Sequence, residues 1–406
     1  MTMRLLRWPV VVACLMAPAH AADGPALPWP PTPPAAAAYA RASAIAELGR
    51  TLFVDPALSA SGRMACATCH DPAHGFAAPN ADPVQMGGAD LRRPGVRAVP
   101  GLTYGAFAPP FQEHAFDPED DGNDSIDQGP AGGRDWDGRV DRARDQAAIP
   151  LLGKNEMAMP DRQAVVAAAS QAGHAGDLQA LYGQDVLTDA KRGFAAVTEA
   201  LEFYQQTQAA FSPFSSRYDA DLHGTARLSA QEARGLALFN DPARGNCASC
   251  HPSAVSAEGK PPLFTDFGFA ALGVPQNRTI PTNNDPSYFD LGLCGPYRTD
   301  LAGAAHYCGL FKVPTLRNVA LKRSLFHNGI VHSLRDAVAF YAERDTQPGK
   351  WYPAGPDGTV HPYDDLPAAY AGNVNKEAPF GGRTLLSDAD VDDIVAFLET
   401  LTDGMH

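Results

Sequence analysis

The apolar positions of this chain fall into a few helical stripes, separated by long connections rich in Gly and Pro. Ala35 to Leu52 reads as a helix, with Leu48, Leu52 and Phe53 at buried positions. Arg162 to Gln208 reads as helical, and Pro213 to Thr225 as a domain boundary. Near the end, Ser387 starts a helix that carries Ile394, Phe397, Leu398 and Leu401 on one face. Pro79 to Gln112 shows no clear period and reads as loop, while Gly24 to Pro34 reads as an extended Pro- and Ala-rich leader.

One stretch occurs twice. Gly49-Arg50-Thr51-Leu52-Phe53-Val54-Asp55-Pro56 and Gly235-Leu236-Ala237-Leu238-Phe239-Asn240-Asp241-Pro242 both read G-x-x-L-F-x-D-P. Ser229 with Glu232 forms a capping box that starts the helix of the second copy. After each copy comes a C-x-x-C-H run: Cys66-Ala67-Thr68-Cys69-His70, then Cys247-Ala248-Ser249-Cys250-His251. This spacing is the attachment signature of a c-type haem. On a helical turn both cysteines reach one side, where each can form a thioether with a vinyl group, and the next histidine reaches the iron. Two copies predict two covalently bound haem c groups, with His70 and His251 as proximal ligands. The predicted fold is mainly α, two cytochrome c-like haem domains with long loops. The boundaries read as 1–21 signal peptide, 22–38 leader, 39–220 N-terminal haem domain and 221–406 C-terminal haem domain.

Composition adds where such a chain works. With 406 residues, 45% of them hydrophobic, it can bury a large core. The formal charge of −14 argues against nucleic acid or an anionic membrane as partner. Arg4 and Arg7, the short apolar run Pro9 to Pro18 and Ala19-His20-Ala21 read as a cleaved secretory signal, with the mature chain starting at Ala22. Val12-Ala13-Cys14 leaves a lipoprotein box as the alternative. No other stretch reads as a membrane span, so a periplasmic location without membrane insertion is expected. Of the cysteines outside the haem motifs, Cys294 and Cys308 read as a disulfide, with haem ligation by either as the minority reading. The acidic run Asp117 to Asp127 starts like a calcium loop, but its twelfth position is Gln128, and it reads as a solvated loop.

At Trp136-Asp137-Gly138-Arg139, Gln146 and Asn155-Glu156-Met157 the chain resembles the bacterial dihaem cytochrome c peroxidase and MauG family, in its MauG/MbnH-like branch. Phe311-Lys312-Val313-Pro314-Thr315-Leu316-Arg317-Asn318-Val319 and Phe326-His327-Asn328-Gly329 extend the resemblance, which runs from about Gly49 to Leu401. It implies that peroxide meets the haem attached at Cys66 and Cys69, and that Trp136 carries oxidising equivalents between the haems. It further implies that Glu156 is the general base and acid, that Gln146 is an amide donor beside it, and that Pro150 lines the same pocket.

Two departures from the family pattern matter. The peroxidases place a histidine ligand between the first haem motif and the tryptophan, but Phe76 to Phe111 holds none, and Met86 is the only soft candidate there. His114 lies beyond the family's ligand position and His74 reads as a loop contact, so the first haem is expected to be five-coordinate. Where the peroxidases place a methionine ligand of the second haem, this chain has Tyr341, in Asp336-Ala337-Val338-Ala339-Phe340-Tyr341. The bland alternative is a tyrosine on an apolar helix face. Calcium between the haems is doubtful: the family's asparagine position is Ala98, although carbonyls around Lys312 and Pro314 remain available. The leading expectation is an oxidoreductase that uses hydrogen peroxide and draws electrons from a partner protein. The runner-up is a peroxide-scavenging cytochrome c peroxidase fed by a small cytochrome or cupredoxin, and the third reading is a dihaem electron carrier.

Overall fold

In the computed structural model, residues 33–115, 127–355 and 357–404 are described. The signal peptide, the leader up to residue 32 and positions 117–126 of the acidic run lie outside them. The helices are α1 (Pro33–Phe53), α2 (Cys66–Cys69), α3 (Ala143–Leu152), α4 (Arg162–Ala169), α5 (Ala175–Tyr182), α6 (Ala190–Thr207), α7 (Arg217–Leu222), α8 (Ala230–Asn240), α9 (Leu334–Glu343), α10 (Pro348–Trp351) and α11 (Asp388–Glu399). Two antiparallel strand pairs, β1 (Met86–Gly87) with β2 (Arg93–Pro94) and β3 (Phe269–Ala270) with β4 (Phe311–Lys312), complete a mainly α fold. Everything below concerns the unit from Ala42 onward.

The repeated G-x-x-L-F-x-D-P stretch means the same thing at both places. Its Leu and Phe, Leu52 with Phe53 and Leu238 with Phe239, are buried. Its glycine lets two helices touch backbone to backbone. A Cβ on Gly49 would overlap the Ala200 carbonyl of α6, and one on Gly235 would overlap the Asp393 carbonyl of α11. Its aspartate turns the chain out of the helix, Asp55 Oδ1 accepting from Ala57 N at 2.8 Å and Asp241 Oδ1 from Ala243 N at 2.9 Å.

Two hydrophobic clusters follow from this. The first gathers α1, α3, α4 and α6 around Leu52, Phe53, Val165 and Val197. In the second, α8, α9 and α11 meet at Phe239, Ala339 and Phe397. The predicted capping box of Ser229 with Glu232 opens α8, α11 starts at Ser387 as expected with a further box to Asp390, and the apolar face of α11 is buried as its period implies. The expected helix over Arg162 to Gln208 is instead three helices. Gly173 (φ 103°) and Gly183 (φ 101°) take backbone angles that a continuous right-handed helix excludes, and Asp189 caps a fresh start. The segment Pro213 to Thr225 carries α7, whose Asp219 accepts from both terminal nitrogens of the fully buried Arg317 at 2.9 and 2.8 Å. Cys294 and Cys308 form a disulfide. Among the described residues no helix is long and apolar enough to cross a membrane.

Candidate functional site

Each C-x-x-C-H run forms a single helical turn that aims its histidine inward. The His70 N–H donates to Cys66 O and the His251 N–H to Cys247 O, both at 2.9 Å. Each ring is then fixed by a carbonyl. His70 Nδ1–H donates to Phe76 O at 3.0 Å, and His251 Nδ1–H to Phe264 O at 2.7 Å. With Nδ1 used as donor, Nε2 keeps its lone pair for a metal. Burial holds both imidazoles well below their usual pKa, at about 4, so each ring is the neutral form a metal needs.

The two accepting carbonyls were not foreseen from the sequence. Phe76 (φ 55°) and Phe264 (φ 53°) both sit in the left-handed region, a strained choice for a bulky residue. Each packs edge-on against the phenylalanine of the repeat: Phe53 meets Phe76 at 6.0 Å and 74°, and Phe239 meets Phe264 at 6.2 Å and 73°. The acceptors lie at unequal distances past their histidines, which hides the correspondence from a search for repeats.

The second histidine faces a cavity of about 310 Å³. Its wall includes Cys247, Cys250, His251, Tyr341, Phe380 and, toward the N-terminal half, Trp136. Tyr341 projects from α9, where its neighbours Val338 and Phe340 are buried in the core. Its ring packs on Phe380 at 5.2 Å, and among the described residues its hydroxyl has no hydrogen-bond partner. Burial raises its phenol pKa, and the Cys250 and Cys247 sulfurs add to the rise. A thiol pair, a lone-pair imidazole and a phenol around one apolar cavity fit a covalently held haem.

Of the predicted distal residues, Glu156 stands near Cys69 of the first haem turn, while Gln146 lines the cavity beside His251. Gln146 and Pro150 stand one turn apart on α3, and Glu156 follows in the next loop. The Glu156 backbone is fixed at both ends, its N–H donating to Gly153 O at 3.0 Å and its carbonyl accepting from Gly88 N at 2.7 Å. Glu156 as a whole is exposed, yet its carboxyl is crowded by protein. Burial pushes its carboxyl up to about 7; Asp135 adds to the rise and Arg139 opposes it. Burial and, after it, the Glu156 charge raise the Cys69 thiol to about 11, which puts Glu156 near the first haem turn. Trp136 borders this group. Its Nε1–H donates to Ala98 O at 2.8 Å, and its own carbonyl accepts from Lys312 N at 2.9 Å. The flanking Asp137 is fully buried and takes the Arg97 guanidinium at 2.7 Å.

The alternative ligands stand elsewhere. His74 Nδ1 bonds Asp71 at 2.8 Å, His114 pairs with Asp127 on the surface at 2.6 Å, and Met86 is exposed. At the doubtful calcium position the Ala98 carbonyl is taken by Trp136, and the Lys312 ammonium donates to the Gly132 and Gly133 carbonyls. Among the described residues no group of three or more His, Cys, Asp or Glu side chains is placed to hold a metal ion.

The family model described as di-haem cytochrome c peroxidase matches residues 43–227. The methylamine utilization protein MauG of Paracoccus denitrificans is 36% identical over 372 residues, covering 89% of each chain. The cytochrome c551 peroxidase of Pseudomonas aeruginosa is 27% identical, covering 72% of this chain and 70% of its own. The crystal structure of the diheme peroxidase BthA from Burkholderia thailandensis superposes with a TM-score of 0.77 at 39% identity, over 89% of this chain and 86% of that one.

Proposed function

The chain belongs to the MauG-like dihaem cytochrome c peroxidase family, an oxidoreductase acting on peroxide with two haem groups, and from that premise we propose that it is a periplasmic, hydrogen peroxide-dependent oxidase that draws electrons from a partner protein. The haem groups are held covalently at Cys66 with Cys69 and at Cys247 with Cys250, in domains 39–220 and 221–406. His70 and His251 are the proximal ligands, and Tyr341 is the second protein ligand at the C-terminal haem. When bound, the N-terminal haem supplies an open iron at which peroxide is reduced.

Around that iron the chain supplies the proton chemistry. Glu156 takes a proton from the nearer peroxide oxygen and returns it to the departing one, and the Gln146 amide steadies the peroxide while Pro150 closes the pocket. Pro150 also has no N–H for the Gln146 carbonyl four residues before it. Trp136, which lines the cavity beside His251, passes the oxidising equivalents on. Calcium has no part in this reading.

The observation that carries the oxidase reading over the scavenger is Tyr341, whose hydroxyl stands free in the wall that also holds His251. A phenolate oxygen lowers a haem's potential relative to a methionine thioether, which suits holding oxidising equivalents better than accepting electrons from a donor cytochrome. Rapid mixing of the fully oxidised protein with hydrogen peroxide tests it. Direct reaction supports the oxidase, a requirement for prior half-reduction supports the scavenger, and no spectral change supports the carrier.

Two further outcomes are expected. Mass spectrometry of the mature protein should show two covalent haems, and replacing both Cys247 and Cys250 by Ala should remove one of them; a variant retaining two overturns the pairing. Gly153 has ordinary backbone angles (φ −66°, ψ 121°), so nothing in its conformation requires glycine. It is the absent side chain that counts, because a Cβ there would overlap Glu156 Oε2. Gly153→Ala should therefore displace the carboxylate and slow the peroxide reaction by up to roughly 10²-fold, as ångström-scale misplacements do. Stopped-flow rates equal to the parent's would remove Gly153 from the pocket.

A further inference from the structure

Three cationic side chains line the cavity beside the second histidine: Arg134, Lys312 and Lys322. Two have partners. Arg134 Nε donates to Asp141 O at 3.3 Å, and Lys312 Nζ donates to the Gly132 and Gly133 carbonyls. Lys322 has neither a hydrogen bond nor an ion pair for its ammonium among the described residues. Its backbone is anchored at the end of the single turn Val319–Leu321, where its N–H donates to Val319 O at 3.1 Å. From there the side chain runs along Gly101, whose Cβ position lies 3.5 Å from Lys322 Cε and 3.4 Å from Gly75 O, a loop of the first haem turn. Burial alone lowers the Lys322 pKa, to about 8, with no carboxylate acting against it.

A cation placed in a cavity without a counter-charge is costly, and chains avoid it unless the cavity's occupant brings the missing anion. A haem brings two propionate carboxylates. We propose that Lys322 holds a propionate of the haem attached at Cys247 and Cys250, on the side of that haem facing the Gly75 and Gly101 loops. This rests on the two-haem reading above. The pair neutralises a carboxylate next to the His251 iron, so it favours the reduced haem relative to a bare propionate. Lys322 thus acts opposite to Tyr341, and the two residues set the potential of the second haem between them.

The test uses the holoprotein with Lys322→Met, Lys322→Gln and Lys322→Arg. Mass spectrometry first establishes that both haems are attached; a chain without haem at Cys247 and Cys250 sinks the two-haem reading instead, and is distinguishable at that step. In the neutral variants the propionate-bending band in resonance Raman should shift, and the reduction potential of the His251 haem should fall by more than that of the His70 haem. Lys322→Arg should restore both. An unchanged band with a lower potential would make Lys322 a through-space charge only, and a change confined to the His70 haem would assign the propionate to the other group. Either result overturns the proposal, as would neutral variants indistinguishable from the parent.

Discussion

Glu156→Gln should keep both haems and slow the reaction with hydrogen peroxide by roughly 10²–10⁴-fold, the range general acid–base groups contribute. The substitution keeps the size of the side chain and removes only its capacity to take a proton. The fold has little reason to respond, since the anchors of this residue are its own N–H to Gly153 O and its carbonyl from Gly88 N. The pH dependence has a definite sign. Burial and Asp135 raise the carboxyl to about 7, so the proton-accepting form is scarce below that pH and grows as pH rises through it. The parent's rate should climb through about pH 7 and level off above, and the variant should lose that step. Stopped-flow measurement from acid to alkaline pH decides it: a variant that reacts as fast as the parent removes Glu156 from the mechanism.

What could be read from the sequence was whatever chemistry or sterics confine to a short stretch. C-x-x-C-H is legible because two thioethers and one iron bond impose its spacing. G-x-x-L-F-x-D-P is legible because helix contact, core and turn follow one another within eight positions. The caps at Ser229 and Ser387 are equally local. Features set by long-range packing were not legible. The carbonyls of Phe76 and Phe264 orient the two histidines, but nothing in their identity marks a left-handed backbone. Gly153 looks like any loop glycine until Glu156 Oε2 is found where its Cβ would be. Lys322 looks like surface charge until its neighbours prove to be Gly101 and the cavity. The stretch from Arg162 to Gln208 misled for the opposite reason: its composition favours helix throughout, and two glycines with positive φ divide it.

Tyr341→Met should raise the potential of the His251 haem, because a neutral, soft thioether replaces a hard anionic oxygen. The bland alternative is an aromatic on an apolar face, and Tyr341 does pack on Phe340 and Phe380. It also lines the cavity that holds His251, and its hydroxyl is unbonded among the described residues. In this setting burial opposes the phenolate, so a cation at the oxygen is what stabilises it. Methionine can reach from the same helix position with its sulfur, and Phe380 can pack against its flexible chain. The His70 site should keep its spectrum, since Tyr341 touches none of its residues. With the second haem easier to reduce, the variant should hold its oxidising equivalents for a shorter time and oxidise a partner protein less effectively. It should move toward the electron-accepting behaviour of a scavenger. Redox titration with electron paramagnetic resonance on both forms measures this directly. An identical low-spin signal and potential in parent and variant would mean that Tyr341 is not a ligand. The oxidase reading would then lose the observation that separates it from the scavenger, while the chain would remain a member of the dihaem peroxidase family.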